Sequence, residues 1–143
     1  MTTEIQAASE ELLNEAKTMN GLAPYLSAKD APAQIEFYKK AFDAVEIARM
    51  PAQDGKRLMH AHIRINGTAV LLSDCFPEWG YPFKEPQGVM LHIQVGADPQ
   101  AWWDRAVAAG CEVLSPMEVQ FWGDRYGQLK DPFGFTWTIG GPA

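Results

Sequence analysis

The sequence predicts an α+β protein: two βαβββ modules with curved mixed sheets around a cleft, preceded by an N-terminal helix. Three observations lead there. The first half reads as strand, helix and three strands, and the same order returns in the second half. Each half ends in a hairpin with strong turn chemistry, Asn66-Gly67 in the first and Asp131-Pro132-Phe133-Gly134 in the second. Aligning Glu46 with Glu112 also brings Gln34 to Gln100, Phe37 to Trp103 and Ile47 to Val113, and one added residue brings Gly67 to Gly134. One duplicated unit accounts for all three.

Composition bounds the rest. A chain of 143 residues with 47% hydrophobic side chains is long enough to close a good core. Eighteen acidic residues against twelve basic ones leave a net charge of −6, which argues against a nucleic-acid surface or a polybasic membrane patch. No apolar run approaches the roughly 20 residues that span a bilayer. Residues 1–6 show neither a basic nor an apolar signal region, so the expected location is cytoplasmic. Cys75 and Cys111 then read as small buried hydrophobes in a reducing compartment.

Taken in order, residues 1–20 form the predicted N-terminal amphipathic helix. Ile5, Ala8, Leu12, Ala16 and Met19 recur at helical spacing over 4–19, and Asn20-Gly21 stops the run. Its apolar stripe packs either on its own domain or across a dimer. The first module covers 21–74. Leu22 to Ala28 is a strand, and Asp30-Ala31-Pro32 opens a helix whose apolar face is Ile35, Tyr38, Ala41 and Phe42. Val45 to Met50 is a strand, Pro51 to Lys56 a loop, Leu58 to Ile65 a strictly alternating strand, and Thr68 to Ser73 its hairpin partner.

Residues 75–88 hold three prolines, two glycines and four aromatics, a long connection of the kind used for lids, binding loops or a wrapped surface. The second module covers 89–143. Val89 to Val95 is a strand, Asp98-Pro99 starts a helix through Trp102, Trp103 and Ala106, and Gly110 ends it. Cys111 to Leu114 begins a strand, and the closing hairpin follows. Phe135 to Ile139 alternates as a paired strand should.

Strand side chains point alternately to opposite faces, and the helix-covered face must be apolar. Met59, Ala61, Ile63 and Ile65 are therefore expected under a helix, with His60, His62 and Arg64 on the open side. Leu91, Ile93 and Val95 go in, leaving His92 and Gln94 open. Leu22, Pro24 and Leu26 leave Tyr25 and Ser27; Phe135, Trp137 and Ile139 leave Thr136 and Thr138. All three histidines of the chain thus share one expected hollow, as hydrogen-bonded cleft residues or as metal ligands.

Four motifs in order, Pro24-Tyr25-Leu26, Phe37-Tyr38-Lys39-Lys40-Ala41-Phe42, His60-Ala61-His62-Ile63-Arg64-Ile65 and Phe121-Trp122-Gly123-Asp124-Arg125 with the Asp-Pro-Phe-Gly turn, resemble the vicinal oxygen chelate superfamily over about residues 21–140. That superfamily includes glyoxalase I, bleomycin-resistance proteins and extradiol dioxygenases, and the nearest branch looks PhnB-like. The resemblance implies paired βαβββ modules and a homodimer. It also implies metal ligands from the first and last strands of each module, at positions matching Tyr25, Leu71, His92 and Thr138. Only His92 is an ordinary ligand type, so the usual metal quartet is expected to be lost. A surviving divalent metal would use His92 with His60 or His62.

Two functions follow as expectations. The first is a glyoxalase-like protein of the bleomycin-resistance type. It would need no cofactor and would bind a small aromatic or anionic molecule in the cleft among Tyr25, His60, His62, Arg64, His92, Gln94, Trp122, Arg125, Tyr126 and Thr138. The second is a divalent-metal-dependent lyase, isomerase or dioxygenase anchored on His92. Trp122, Tyr126 and the loop rings Phe76, Trp79, Tyr81 and Phe83 suit a ligand or a dimer interface equally. Arg64 and Arg125 would hold an anion or pair with Asp74, Asp124 or Asp131. Nucleophilic serine chemistry has no Gly-x-Ser-x-Gly elbow behind it, and no Gly-rich phosphate loop occurs. An interaction module using the N-terminal helix and the aromatic loop is the third possibility.

Overall fold

A computed structural model describes residues 10, 14, 15 and 17–143. Of the N-terminal helix, Glu10, Asn14, Glu15, Lys17 and Thr18 are helical, and the apolar positions Ile5, Ala8, Leu12 and Ala16 lie outside the described residues. The chain divides into two compact units, Met1–Ile35 with Ala44–Phe83, and Glu36–Asp43 with Lys84–Ala143. No helix among the described residues is long and apolar enough to cross a membrane.

The first unit is a four-stranded sheet of β1 (Tyr25–Ala28), β2 (Val45–Pro51), β3 (Leu58–Ile65) and β4 (Thr68–Asp74), in spatial order β1-β4-β3-β2. β1 runs parallel to β4, while β4, β3 and β2 are antiparallel. Asn66 and Gly67 both take positive φ, 50° and 80°, the backbone that a tight two-residue hairpin requires. Helix α1 (Ala31–Phe42) starts over this sheet, where Ala31 and Ile35 are buried with Leu26, Ala61, Ile63 and Leu72. Asp74, itself buried, accepts from the N–H of Ala31 at 2.7 Å and of Leu58 at 2.6 Å, so one carboxylate fastens the helix start to the sheet.

Two expectations fail here for local reasons. Leu22 is 97% exposed because the strand begins only at Tyr25. Met59 does not turn under the helix. β2 pairs Met50 with His60 but Pro51 with Leu58, so Met59 is the extra residue of a bulge; it is exposed, and Leu58 takes the buried place.

The second unit repeats the topology. β5 (Met90–Gln94), β6 (Glu112–Val119), β7 (Asp124–Lys130) and β8 (Thr136–Pro142) order as β5-β8-β7-β6, with β5 parallel to β8 and the other pairs antiparallel. β6 continues the strand that begins at Cys111 to Leu114 and pairs with β7 as far as Val119 opposite Arg125. Helix α2 (Pro99–Ala109) is capped by Asp98, whose carboxylate accepts from Ala101 N–H at 3.2 Å. Trp103 of α2 lies on Gly127 of β7, where an added Cβ would come within 2.5 Å of the indole.

The last turns of α1 belong to this unit. Tyr38, Phe42 and Trp137 form a ring cluster with centroids 4.5 to 5.8 Å apart. Asp131 anchors it. Its buried carboxylate accepts from Tyr38 O–H at 2.6 Å, Trp137 Nε1–H at 2.9 Å and the N–H groups of Phe133 and Phe135. The Asp-Pro-Phe-Gly turn is therefore both a chain reversal and a hub. Both cysteines are free, and burial raises each thiol pKa, that of Cys111 to about 12 with Asp131 adding to it.

Candidate functional site

The candidate site residues sort into two clusters, one in each unit. In the first, Tyr25 O–H donates to His60 Nδ1 at 3.0 Å, and His60 Nε2 lies 3.2 Å from Glu15 Oε1. The same oxygen is 2.8 Å from His62 Nδ1, at ion-pair distance but without hydrogen-bond alignment. A carboxylate only accepts, so His60 Nε2–H donates to Glu15 and Nδ1 accepts the tyrosine hydrogen bond. His62 is wholly buried, and among the described residues its Nε2 has no partner. Burial lowers its pKa; Glu15 works against that, and Arg64 and His60 add to it. Tyr25 has its pKa raised, first by burial and then by the charge of Glu15.

The second cluster lines an open hollow of about 370 Å³ on the sheet face away from α2. His92 projects from β5 and Thr138 from β8, register partners on adjacent parallel strands. Their contact, His92 Nδ1 to Thr138 Oγ1, is 2.6 Å. His92 Nε2 meets Gln94 Oε1 at 2.8 Å, and Gln94 Nε2 donates to Asp124 Oδ2 at 3.2 Å. The carboxylate fixes the amide orientation, the amide fixes the imidazole tautomer, and Thr138 donates to what is left. Both ring nitrogens of His92 are thus committed.

Over this chain stand the rings. Tyr126 stacks on His92 with centroids 6.0 Å apart, and Trp122 meets Tyr126 at 5.9 Å and 66°. Gln128 Nε2 donates to the Tyr126 hydroxyl at 3.2 Å. Gly140 makes room for the imidazole, since a Cβ there would sit 3.1 Å from His92 Cε1.

Of the predicted residues, the hollow gathers His92, Gln94, Trp122, Tyr126 and Thr138. Tyr25, His60 and His62 gather around Glu15 instead. Arg125 precedes Tyr126 on β7 and is not part of the lining; strand alternation turns it to the other face. Arg64 touches neither hydrogen-bond chain and acts on His62 only through its charge. Sequence reasoning missed Glu15, Met90 and Asp124 as site residues. Glu15 had a signal: it falls on the helical stripe of Ala8, Leu12 and Met19, a carboxylate where a hydrophobe is expected. Asp124 had none beyond its place beside Trp122.

Residues 19–139 match the Glyoxalase/Bleomycin resistance protein/Dioxygenase superfamily. The chain belongs to this superfamily. It is 46% identical over 127 residues to an uncharacterized protein of Mycobacterium bovis, covering 85% of this chain and 82% of that one. Protein YjdN of Escherichia coli is 27% identical over 138 residues, covering 82% of this chain and 92% of that protein. Protein PA1353 from Pseudomonas aeruginosa superposes with a TM-score of 0.71 at 23% identity, covering 87% and 98%. A PhnB protein from Bacillus cereus does so at 0.68 and 16% identity, covering 85% and 99%. At those identities the two structures speak for the fold alone, and the fold agrees with the PhnB-like resemblance.

Superfamily membership raises the question of a metal. The four positions expected to supply ligands fall as two register pairs, Tyr25 with Leu71 and His92 with Thr138. Their donors do not fit a divalent ion. Leu71 is a hydrocarbon, Thr138 gives its proton to His92, and His92 has no free lone pair. Among the described residues no group of three His, Cys, Asp or Glu side chains is arranged to hold a metal.

Proposed function

We propose that this superfamily member is a small-molecule-binding protein of the bleomycin-resistance type, with its ligand on the open face of the second sheet. One observation carries the reading: a hollow of about 370 Å³ walled by Trp122, Tyr126 and His92, within the range of small-ligand pockets. Its polar groups are already ordered by Thr138, Gln94 and Asp124, so a ligand meets a preformed surface. Flat rings at a steep angle suit an aromatic body.

The donor chemistry at Tyr25, Leu71, His92 and Thr138 supports loss of the usual metal quartet. In this reading Tyr25, His60 and His62 hold Glu15 rather than a ligand, and Arg64 and Arg125 leave the hollow without an anion clamp. The free cysteines suit a reducing cytoplasm, and a homodimer is the expected assembly by superfamily habit.

A thermal-shift and NMR screen of small aromatic compounds tests the proposal, since a ligand of the native state raises Tm by mass action. Hits should lose their effect in Trp122→Ala while circular dichroism stays native. Hits that are indifferent to both Trp122→Ala and Tyr126→Ala would refute it, as would a metal bound stoichiometrically and lost in His92→Ala.

A further inference from the structure

We infer that the hollow on the second sheet selects an organic cation, an ammonium or quaternary ammonium group attached to a flat apolar body. The inference rests on the binding reading above and names the ligand class for that site. Among the described residues one chain of hydrogen bonds crosses the lining and ends on a carboxylate: Thr138 bonds His92, His92 bonds Gln94, and Gln94 bonds Asp124. Asp124 keeps acceptor capacity to spare. Gln94 engages only its Oδ2, at the long distance of 3.2 Å, and no basic side chain pairs with the carboxylate among the described residues. No lysine or arginine lines the hollow among the described residues, so the negative carboxylate of Asp124 faces a ligand with no basic side chain beside it.

The rings reinforce that sign. The face of an aromatic ring is electron-rich, and a cation within about 6 Å of its centroid is attracted. Trp122 and Tyr126 meet edge to face at 66° with centroids 5.9 Å apart, and Trp122 is half exposed, so its ring offers apolar, electron-rich surface to a small cation at the mouth of the hollow. Asp124 lies two residues beyond Trp122 and two residues before Tyr126, and it lines the same hollow. Met90 supplies polarizable apolar surface for the uncharged part of the ligand. The net charge of −6 adds a long-range field that draws cations and repels anions. An anionic ligand would meet Asp124 with no cationic side chain in the lining to offset it.

Three benzyl probes of nearly equal size isolate the charge: benzyltrimethylammonium, benzyl alcohol and phenylacetate. Each is titrated at low salt while the indole N–H signal of Trp122, assigned with Trp122→Phe, is followed by NMR. The expected result is that the ammonium probe binds about tenfold tighter than phenylacetate and loses that advantage as salt is added. Asp124→Asn should weaken the ammonium probe about tenfold relative to benzyl alcohol. Equal affinity for the three probes in the natural protein overturns the cation inference but leaves small-molecule binding standing, and this comparison needs no variant. Indifference of the ammonium probe to Asp124→Asn likewise overturns the inference. No shift of the Trp122 signal by any probe overturns both.

Discussion

The hydroxyl of Tyr25 stands 3.0 Å from Nδ1 of His60, with the two rings centred 6.0 Å apart across the open face of the first sheet. The second unit holds the same pair with the roles exchanged. Tyr25 pairs with Leu71 and Leu71 with His62; His92 pairs with Thr138 and Thr138 with Gln128. Tyr25 therefore corresponds to His92. Two residues back along the third strand of each sheet, His60 corresponds to Tyr126, and those rings are also 6.0 Å apart. The units differ in what lies on the pair. In the first, Glu15 joins His60 and His62; in the second, the equivalents Tyr126 and Gln128 bond each other and the face is open.

Glu15→Gln should report on this directly. The charge of Glu15 raises the pKa of Tyr25, so the variant should lower it, read by ultraviolet titration against Tyr25→Phe. Loss of the ionic acceptor that bonds His60 Nε2 should also reduce stability by about 1–3 kcal/mol in urea denaturation.

The His62 imidazole predicts a pH dependence. Its native pKa lies below the unfolded value of about 6.5, so the unfolded state takes up a proton more readily. Its contribution to stability is complete above pH 6.5 and is lost as the pH falls from there toward the native value. His62→Gln should flatten the slope of unfolding free energy between pH 7 and 5 relative to the natural protein.

Asp131→Ala should be among the most damaging single changes. It leaves the Tyr38 hydroxyl, the Trp137 indole N–H and two backbone N–H groups without their acceptor in a buried site. A loss of about 3–5 kcal/mol is expected from buried donors stranded in this way. Denaturant midpoints measure it, and Tyr38→Phe, which removes one donor only, should cost about 1–2 kcal/mol.

Gly127→Ala should destabilise by about 1–3 kcal/mol through overpacking, because the new methyl would meet the Trp103 ring at 2.5 Å and the Met117 backbone at 3.0 Å. Replacing Trp103 by Leu in the same chain should recover part of the loss, a coupling that a double-mutant cycle reads.

Much of this arrangement was legible in the sequence. Ala61 and Ile63 alternate with His60 and His62, so strand parity alone placed both histidines on the face away from the helix, and the repeat of turn chemistry at Gly67 and Gly134 exposed the duplication. What stayed hidden depends on contacts distant along the chain. Met59 breaks parity because of how β2 pairs with β3, and no property of Met59 itself announces a bulge. Asp131 reads as a turn residue, whereas its bond to Tyr38 spans 93 positions. Thr138 was placed on the open side, yet it is only 2% exposed because His92 lies against it. Glu15 meets β3 across 45 residues, and a charged residue on a helical stripe signals that a partner exists without saying which.

Occupation of the first sheet by Glu15 sets the two halves of the duplication on separate courses. A change at His60 or His62 disturbs the seating of the leading segment and will be felt as a folding defect. A change at Tyr126 or Gln128 alters an open face whose bonds, among the described residues, run only to side chains around the same hollow. Recognition can drift in one repeat while its twin keeps the architecture intact.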